Sequence, residues 1–195
     1  NFEDSESENN IVKGIIVRNF SNNISNWRSK LSLDRWLQKN NVLGLFGIDT
    51  RALVKILRNN GSMNGIITTE DITIESCMNY LNNTPSMSGL NLASQVSTTK
   101  EYVWNNAESN FPYGNFTLNH KKDKLKVIAI DFGIKKSILD RLTFYGCQVI
   151  VLPANSSLKS VLSHNPNGVF FSNGPGDPST VVSGINLAKD LINQG

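Results

Sequence analysis

The 195 residues carry 39% hydrophobic and 18% charged side chains, an ordinary balance for a water-soluble fold and a length that can bury a core. A net charge of +3, from 19 Lys plus Arg against 16 Asp plus Glu, with no basic cluster, argues against nucleic acid as a partner. No stretch approaches the roughly 20 apolar residues of a membrane span. Cys77 and Cys147, and His120 and His164, sit in no CxxC, HExxH or comparable metal spacing.

In chain order, NFEDSESENN (1–10) is acidic and polar and reads as an irregular, solvated lead with neither signal- nor transit-peptide character. The β-branched IVKGIIVR (11–18) predicts a strand, and FSNNISNWRS (20–29) a loop. LSLDRWLQKN (31–40) places Leu33, Trp36 and Leu37 at helical spacing behind Ser32 as N-cap. VLGLFGID (42–49) predicts a short buried strand. Asp49 then caps a helix from Thr50 that turns Leu53, Ile56 and Leu57 to one face and stops at Gly61. NGIITT (64–69) predicts a strand and IESCMNYLNN (74–83) a helix. From Thr84 to His120 the chain is polar, broken by Pro85, Gly89, Pro112 and Gly114, with the aromatic cluster EYVWNN inside it. It reads as an irregular segment running into a linker closed by HKKDK, with a domain boundary between residues 120 and 121. Asparagine is scattered through normal apolar patterns, which suggests the codon bias of an AT-rich genome.

After Lys124 the pattern changes. LKVIAIDFG, CQVIVLP and GVFFS are near-continuous apolar runs. They alternate with the helical stretches IKKSILDRLTFYG, SSLKSVLSHN and STVVSGINLAKDLINQG. Strands of that kind are parallel and covered on both faces, so this half is an α/β doubly wound sheet. Ligands in such sheets bind beyond the carboxyl ends of the strands, and SNGPGDP (172–178) stands at one. Its glycines allow a backbone to approach a ligand and expose N–H donors, and its prolines stiffen the turn. A strand-to-helix turn with no ligand explains the same residues. The stretch is neither GxGxxG nor a P-loop.

SNGPGDP resembles the signature loop of class I glutamine amidotransferases. GIDTRAL (47–53) with LRNNGSMNGII (57–67), SNWRS (25–29) and AIDFGIKKSILDRL (129–142) are similar to stretches of the carbamoyl-phosphate synthetase small-chain family, in the same order. Ser137 stands where that family usually has Asn. The resemblance implies a mixed α/β docking domain over residues 1–120, followed by the first part of the doubly wound amidotransferase domain over 121–195.

It also implies glutamine hydrolysis by a Cys thiolate with His and Glu partners. The ammonia would pass to a large partner chain, which makes carbamoyl phosphate from bicarbonate and ATP for arginine and pyrimidine synthesis. The Gly174 N–H would belong to the oxyanion hole and Gly176 would help hold the glutamine, while Asn173, Pro175, Asp177 and Pro178 would shape the loop. ATP and its metal ions would belong to the large chain, with no cofactor and no metal on this one, and no nucleic acid or membrane among its partners. The family's GxCxGxQ-like stretch is not in this sequence. By the resemblance, the nucleophilic Cys and its His and Glu partners would lie beyond Gly195, so no catalytic residue is expected within the 195. The expectation is therefore a fragment cut at both ends, inactive alone, from a bacterial cytoplasm or a plastid stroma, with the plastid favoured by the codon bias.

Cys77, in a helix, and Cys147, at the start of a strand, lack the strand-turn-helix setting of a nucleophile. Asp49, Thr50 and Arg51 read either as a helix cap with an exposed Arg or as a contact with the large chain, and Trp27, Trp36 and Trp104 as packing or interface anchors. Another class I amidotransferase subunit, or a non-catalytic α/β docking module, are the alternative readings.

Overall fold

A computed structural model of the chain describes residues 12–27, 29–105 and 124–194. Its contacts divide into two units, residues 1–87 and 88–195. Among the described residues no helix is long and apolar enough to cross a membrane.

In the first unit, β1 (Gly14–Val17) pairs in parallel with β2 (Leu43–Phe46), and α1 (Leu33–Lys39) is the crossover between them. Ser32 caps α1 by accepting from the Arg35 N–H at 3.3 Å, and Leu37 and Val42 are buried. Asp49 caps α2 (Thr50–Asn60) by accepting from the Ala52 N–H at 3.0 Å, and Gly61 is its C-cap. Thr73 caps α3 (Ile74–Asn83) through the Ser76 N–H at 3.2 Å.

Three expectations fail here. The second strand is not buried: Phe46 is 67% exposed, because two strands and one short helix cover little of the sheet. Residues 64–69 form no ladder. That segment is instead tied through the Asn64 amide, which donates to the Thr84 and Pro85 carbonyls at 3.0 and 3.1 Å. Helix α2 buries none of its residues, so Ile56 and Leu57 do not face a core within this unit.

The second unit holds α4 (Ala93–Val96) and a four-stranded sheet. Its strands are β3 (Tyr102–Trp104), β4 (Lys126–Asp131), β5 (Gln148–Pro153) and β6 (Gly168–Phe171), in the order β3-β5-β4-β6. β4, β5 and β6 are parallel and β3 is an antiparallel edge. Ile128, Ile130, Ile150 and Leu152 share a core with Val161 of α6 (Leu158–Ser163) and Leu187 of α7 (Val182–Asn193). Ala129, Val149 and Val151 share another with Leu139 of α5 (Lys136–Phe144). Alternate residues of one strand thus feed two cores, which is why the strands read as unbroken apolar runs. Each such buried Ile, Leu or Val contributes about 1.5–3 kcal/mol.

EYVWNN, expected as part of an irregular segment, supplies β3: it pairs with β5, and the Trp104 indole N–H donates to Asp140 Oδ1 at 2.9 Å. Residues 88–105 therefore belong to the second unit, and the boundary expected between 120 and 121 lies outside the described residues.

The chain leaves β4 for β5 on one side and returns to β6 on the other. The order reverses between β4 and β6, and the loops leaving those two strands lie side by side at the place where doubly wound sheets bind ligands.

Candidate functional site

Asp131 ends β4 and is 6% exposed. Its Oδ1 accepts from the N–H groups of Gly133 and Ile134, both at 2.8 Å, and its Oδ2 accepts from the Thr98 N–H at 2.7 Å. One buried carboxylate thus folds the loop after β4 back on itself and binds it to a segment 33 residues upstream. Burial first, and the nearby Asp131 charge second, push the Tyr102 phenol above its usual value of 10.0.

The loop after β6 is built onto that first loop. The Ser172 N–H donates to the Ile130 carbonyl at 3.1 Å. The Ser172 hydroxyl accepts from the Phe132 N–H at 2.9 Å and donates to the Asn173 carbonyl at 2.8 Å. Gly174 crosses the Phe132 backbone so closely that a Cβ would overlap the Phe132 carbonyl oxygen. Gly176 has φ +87°, and a Cβ there would stand 2.9 Å from the Leu90 carbonyl oxygen. Both positions require glycine, for close approach at the first and for approach plus a left-handed backbone at the second.

Asp177 caps the 3-10 turn Pro178–Thr180. Its Oδ1 accepts from the Ser179 N–H at 2.9 Å and the Ser179 hydroxyl at 2.7 Å, and its Oδ2 from the Gly89 N–H at 3.4 Å. The Ser179 hydroxyl, then the Ser179 N–H, hold its carboxyl below the usual 3.8.

The segment from Gly89 to Thr98 therefore crosses the carboxyl ends of all three parallel strands. It meets the β6 loop at Gly176 and Asp177. It meets the β5 loop where the Ser97 hydroxyl accepts from the Ala154 N–H at 2.9 Å, and the β4 loop at Asp131.

Beside the glycine loop lies a cavity of about 490 Å³ walled by Phe132, Phe171, Val181 and Ile185, with Gly174 and Gly176 in its lining. No lining residue titrates. Among the described residues nothing accepts from the N–H groups of Gly174 and Gly176. The arrangement can hold a ligand and stabilise negative charge on an oxygen, but among the described residues no Cys, His, Asp or Glu lines the cavity.

The structure brings Asn173, Gly174, Pro175, Gly176 and Pro178 together on this cavity, with Asp177 holding the turn behind them. Cys147 lies just before β5, at the end of the sheet opposite the loops, and Cys77 lies within α3 of the other unit. Asp49 is engaged as a helix cap, Arg51 is exposed, and Trp27 is 93% exposed. Trp36 is half-buried on α1, and Trp104 packs on the α5 side of the sheet. His164 Nε2 lies 3.3 Å from the Glu101 carboxylate. His120 falls outside the described residues. So does Gly195, the position beyond which the resemblance puts the nucleophile and its partners; the described part of α7 reaches Asn193, followed by its C-cap Gln194. Among the described residues no three His, Cys, Asp or Glu side chains gather as metal ligands.

Sequence reasoning did not single out Asp131, Ser172 or Thr98. The Asp-x-Gly leaving a strand was a readable signal for the turn at Asp131. Nothing local marked Thr98.

Two family models match the chain. Residues 1–67 match the carbamoyl-phosphate synthase small chain CPSase domain, and residues 128–195 match glutamine amidotransferase class-I. Among similar proteins are the carbamoyl phosphate synthase small chains of Parasynechococcus marenigrum (45% identity, 98% of this chain, 50% of the relative) and Pyropia yezoensis (43%, 98% and 50%). That of Aquifex aeolicus is 41% identical over 98% of this chain and 51% of its own length. The chain spans about half the length of the curated relatives it matches.

Proposed function

Because the chain belongs to the carbamoyl-phosphate synthase small-chain family, we propose that its second unit supplies the glycine-loop half of a glutamine-hydrolysing site. The observation that carries this reading is the pair of N–H groups, on Gly174 and Gly176, that have no acceptor among the described residues and stand at an apolar cavity with no titrating residue among the described ones in its wall.

In the reaction, a Cys thiolate attacks the side-chain amide carbon of glutamine and the carbonyl π pair moves to oxygen. The tetrahedral oxyanion collapses, a proton from the partner His goes to the departing nitrogen, and ammonia leaves a thioester that water hydrolyses to glutamate. In this reading the Gly174 N–H donates to that oxyanion, and Gly176 helps hold the bound glutamine. The thiolate, His and Glu belong to stretches that these 195 residues do not include.

The ammonia passes to a large chain that carries ATP and its metal ions and makes carbamoyl phosphate for arginine and pyrimidine synthesis. The first unit is proposed as the docking part: α2 buries none of its residues and presents Val54 and Ile56 beside Arg51, Lys55 and Arg58. Relatives in cyanobacteria and in Pyropia yezoensis support a bacterial cytoplasm or a plastid stroma.

The test is glutamine-dependent ammonia release by the full-length protein containing this chain, with its large chain. Gly174→Ala displaces the donor, so kcat falls about 10²- to 10³-fold, the usual effect of losing one oxyanion donor. Residues 1–195 alone release no ammonia from glutamine. An unchanged kcat in the variant, or ammonia release by the chain alone, overturns the reading.

A further inference from the structure

We propose that Ser172 is a positioning residue that aims the Gly174 N–H, an inference that rests on the donor role proposed above for Gly174. The Asn173 carbonyl and the Gly174 N–H are the two ends of one peptide group. Among the described residues every peptide is trans, and in a trans peptide the C=O and the N–H point in opposite directions across a rigid plane. Whatever holds the carbonyl therefore sets the direction of the N–H.

The Ser172 hydroxyl holds it, at 2.8 Å. That hydroxyl is itself fixed. Ser172 is 9% exposed, and its oxygen takes the Phe132 N–H at 2.9 Å, which leaves the hydroxyl hydrogen for the Asn173 carbonyl. Phe132 in turn follows Asp131, whose carboxylate clamps the turn it begins. Phe132 also sets the other side of the peptide, because its carbonyl oxygen lies against the Gly174 Cα. The peptide plane is thus held at its carbonyl by a buried hydroxyl and at the following Cα by a backbone crossing, while its N–H is left without an acceptor among the described residues.

A donor held ready in this way costs no reorganisation when charge develops on the substrate. Without the hydroxyl the peptide can rotate about the flanking ψ and φ of Asn173 and Gly174. The donor remains chemically present but is no longer directed.

The measurement is the orientation and order of that one N–H vector in the 195-residue chain, by residual dipolar couplings and ¹⁵N relaxation. In the unmodified chain the Gly174 order parameter should match the rigid backbone, about 0.85, and Ser172→Ala should lower it below about 0.6. The vectors of β4 and β6 should keep their couplings. Ser172→Thr, which retains the hydroxyl, should restore the order of Gly174. A merely structural role for Ser172 would lower thermal stability without moving one vector selectively.

A low Gly174 order parameter in the unmodified chain overturns the proposal whether or not any variant folds, and so does an unchanged Gly174 coupling in Ser172→Ala. Kinetics of the full-length protein separate the two readings. If Ser172→Ala loosens the vector and kcat stays the same, the donor role of Gly174 fails while the positioning stands. If Gly174→Ala lowers kcat and the vector is indifferent to Ser172, the positioning fails alone.

Discussion

The strongest single constraint on the site is the Asp131 carboxylate, and Asp131→Asn isolates one part of it. Asn keeps the shape and one acceptor oxygen. That oxygen can still take the Gly133 and Ile134 N–H groups, which both go to Oδ1. The amide nitrogen then faces the Thr98 N–H, and a bond of 2.7 Å to a charged oxygen becomes two donors pointed at each other. Flipping the amide would rescue Thr98 at the expense of both turn bonds, so the unflipped arrangement wins. Losing a charge-assisted hydrogen bond costs about 1.5–3 kcal/mol. At tenfold per 1.4 kcal/mol, the Thr98 amide should exchange with deuterium roughly 10- to 100-fold faster. The amides of Gly133 and Ile134 should keep their protection. Uniform loss of protection at all three amides, or an unaltered rate at Thr98, would refute the division of labour between the two carboxylate oxygens.

Gly176→Ala should lower the stability of the second unit by about 2–5 kcal/mol. An Ala at positive φ costs about 1–2 kcal/mol, and the Cβ contact with the Leu90 carbonyl adds overpacking of about 1–3 kcal/mol. A urea midpoint that does not move would show that the Leu90 segment yields freely. For Asp177, the folded carboxyl titrates below the unperturbed 3.8. Its contribution to stability is therefore present above about pH 4 and lost as pH falls through the folded value. NMR titration of the Asp177 carboxyl carbon should give a midpoint under 3.8 that rises toward it in Ser179→Ala, and a midpoint indifferent to that change contradicts the assignment.

The parallel half was legible because its physics is local and repetitive. A strand such as Lys126–Asp131, covered on both faces, is apolar at nearly every interior position, and three such runs alternating with helical stretches single out a parallel sheet. The caps Ser32 and Asp49 were legible because a cap acts within three residues. Burial in the first unit was not: VLGLFGID has the composition of a core strand, yet Phe46 is 67% exposed, because composition records what a strand can bury against and not whether a second layer is there. The glycine loop announced itself through its glycines. Ser172 opens the same SNGPGDP stretch, but its role depends on Phe132, 40 residues earlier, and no local pattern carries that distance.

The same distance problem hides a dependence of the site on residues 88–105, and deletion makes it measurable. A fragment of residues 121–195 contains β4, β5 and β6, the parallel strands of the second unit, and the loops that leave β4 and β6. It lacks β3, so the β5 edge, where Val149 and Val151 are fully buried, loses its antiparallel partner and the Trp104 ring beside it. It lacks Ala93, which is 2% exposed in the core beneath α6 and α7. It also strands three polar groups whose partners are gone: Asp131 without the Thr98 N–H, the Ala154 N–H without the Ser97 hydroxyl, and Asp177 without the Gly89 N–H. Asp131 and Ala154 are buried. Each hydrogen bond lost costs about 0.5–1.5 kcal/mol, or about 1.5–3 kcal/mol where the acceptor is a carboxylate, and together with the lost strand these compete with the about 5–15 kcal/mol that holds a whole domain folded. Residues 88–195 should therefore unfold cooperatively in urea with dispersed amide resonances, whereas residues 121–195 should show neither. A cooperative transition of equal midpoint in both fragments would mean that the upstream segment rests on a sheet already complete without it. The Gly89–Thr98 crossing would then be a passenger on the strand ends and not a brace for the loop.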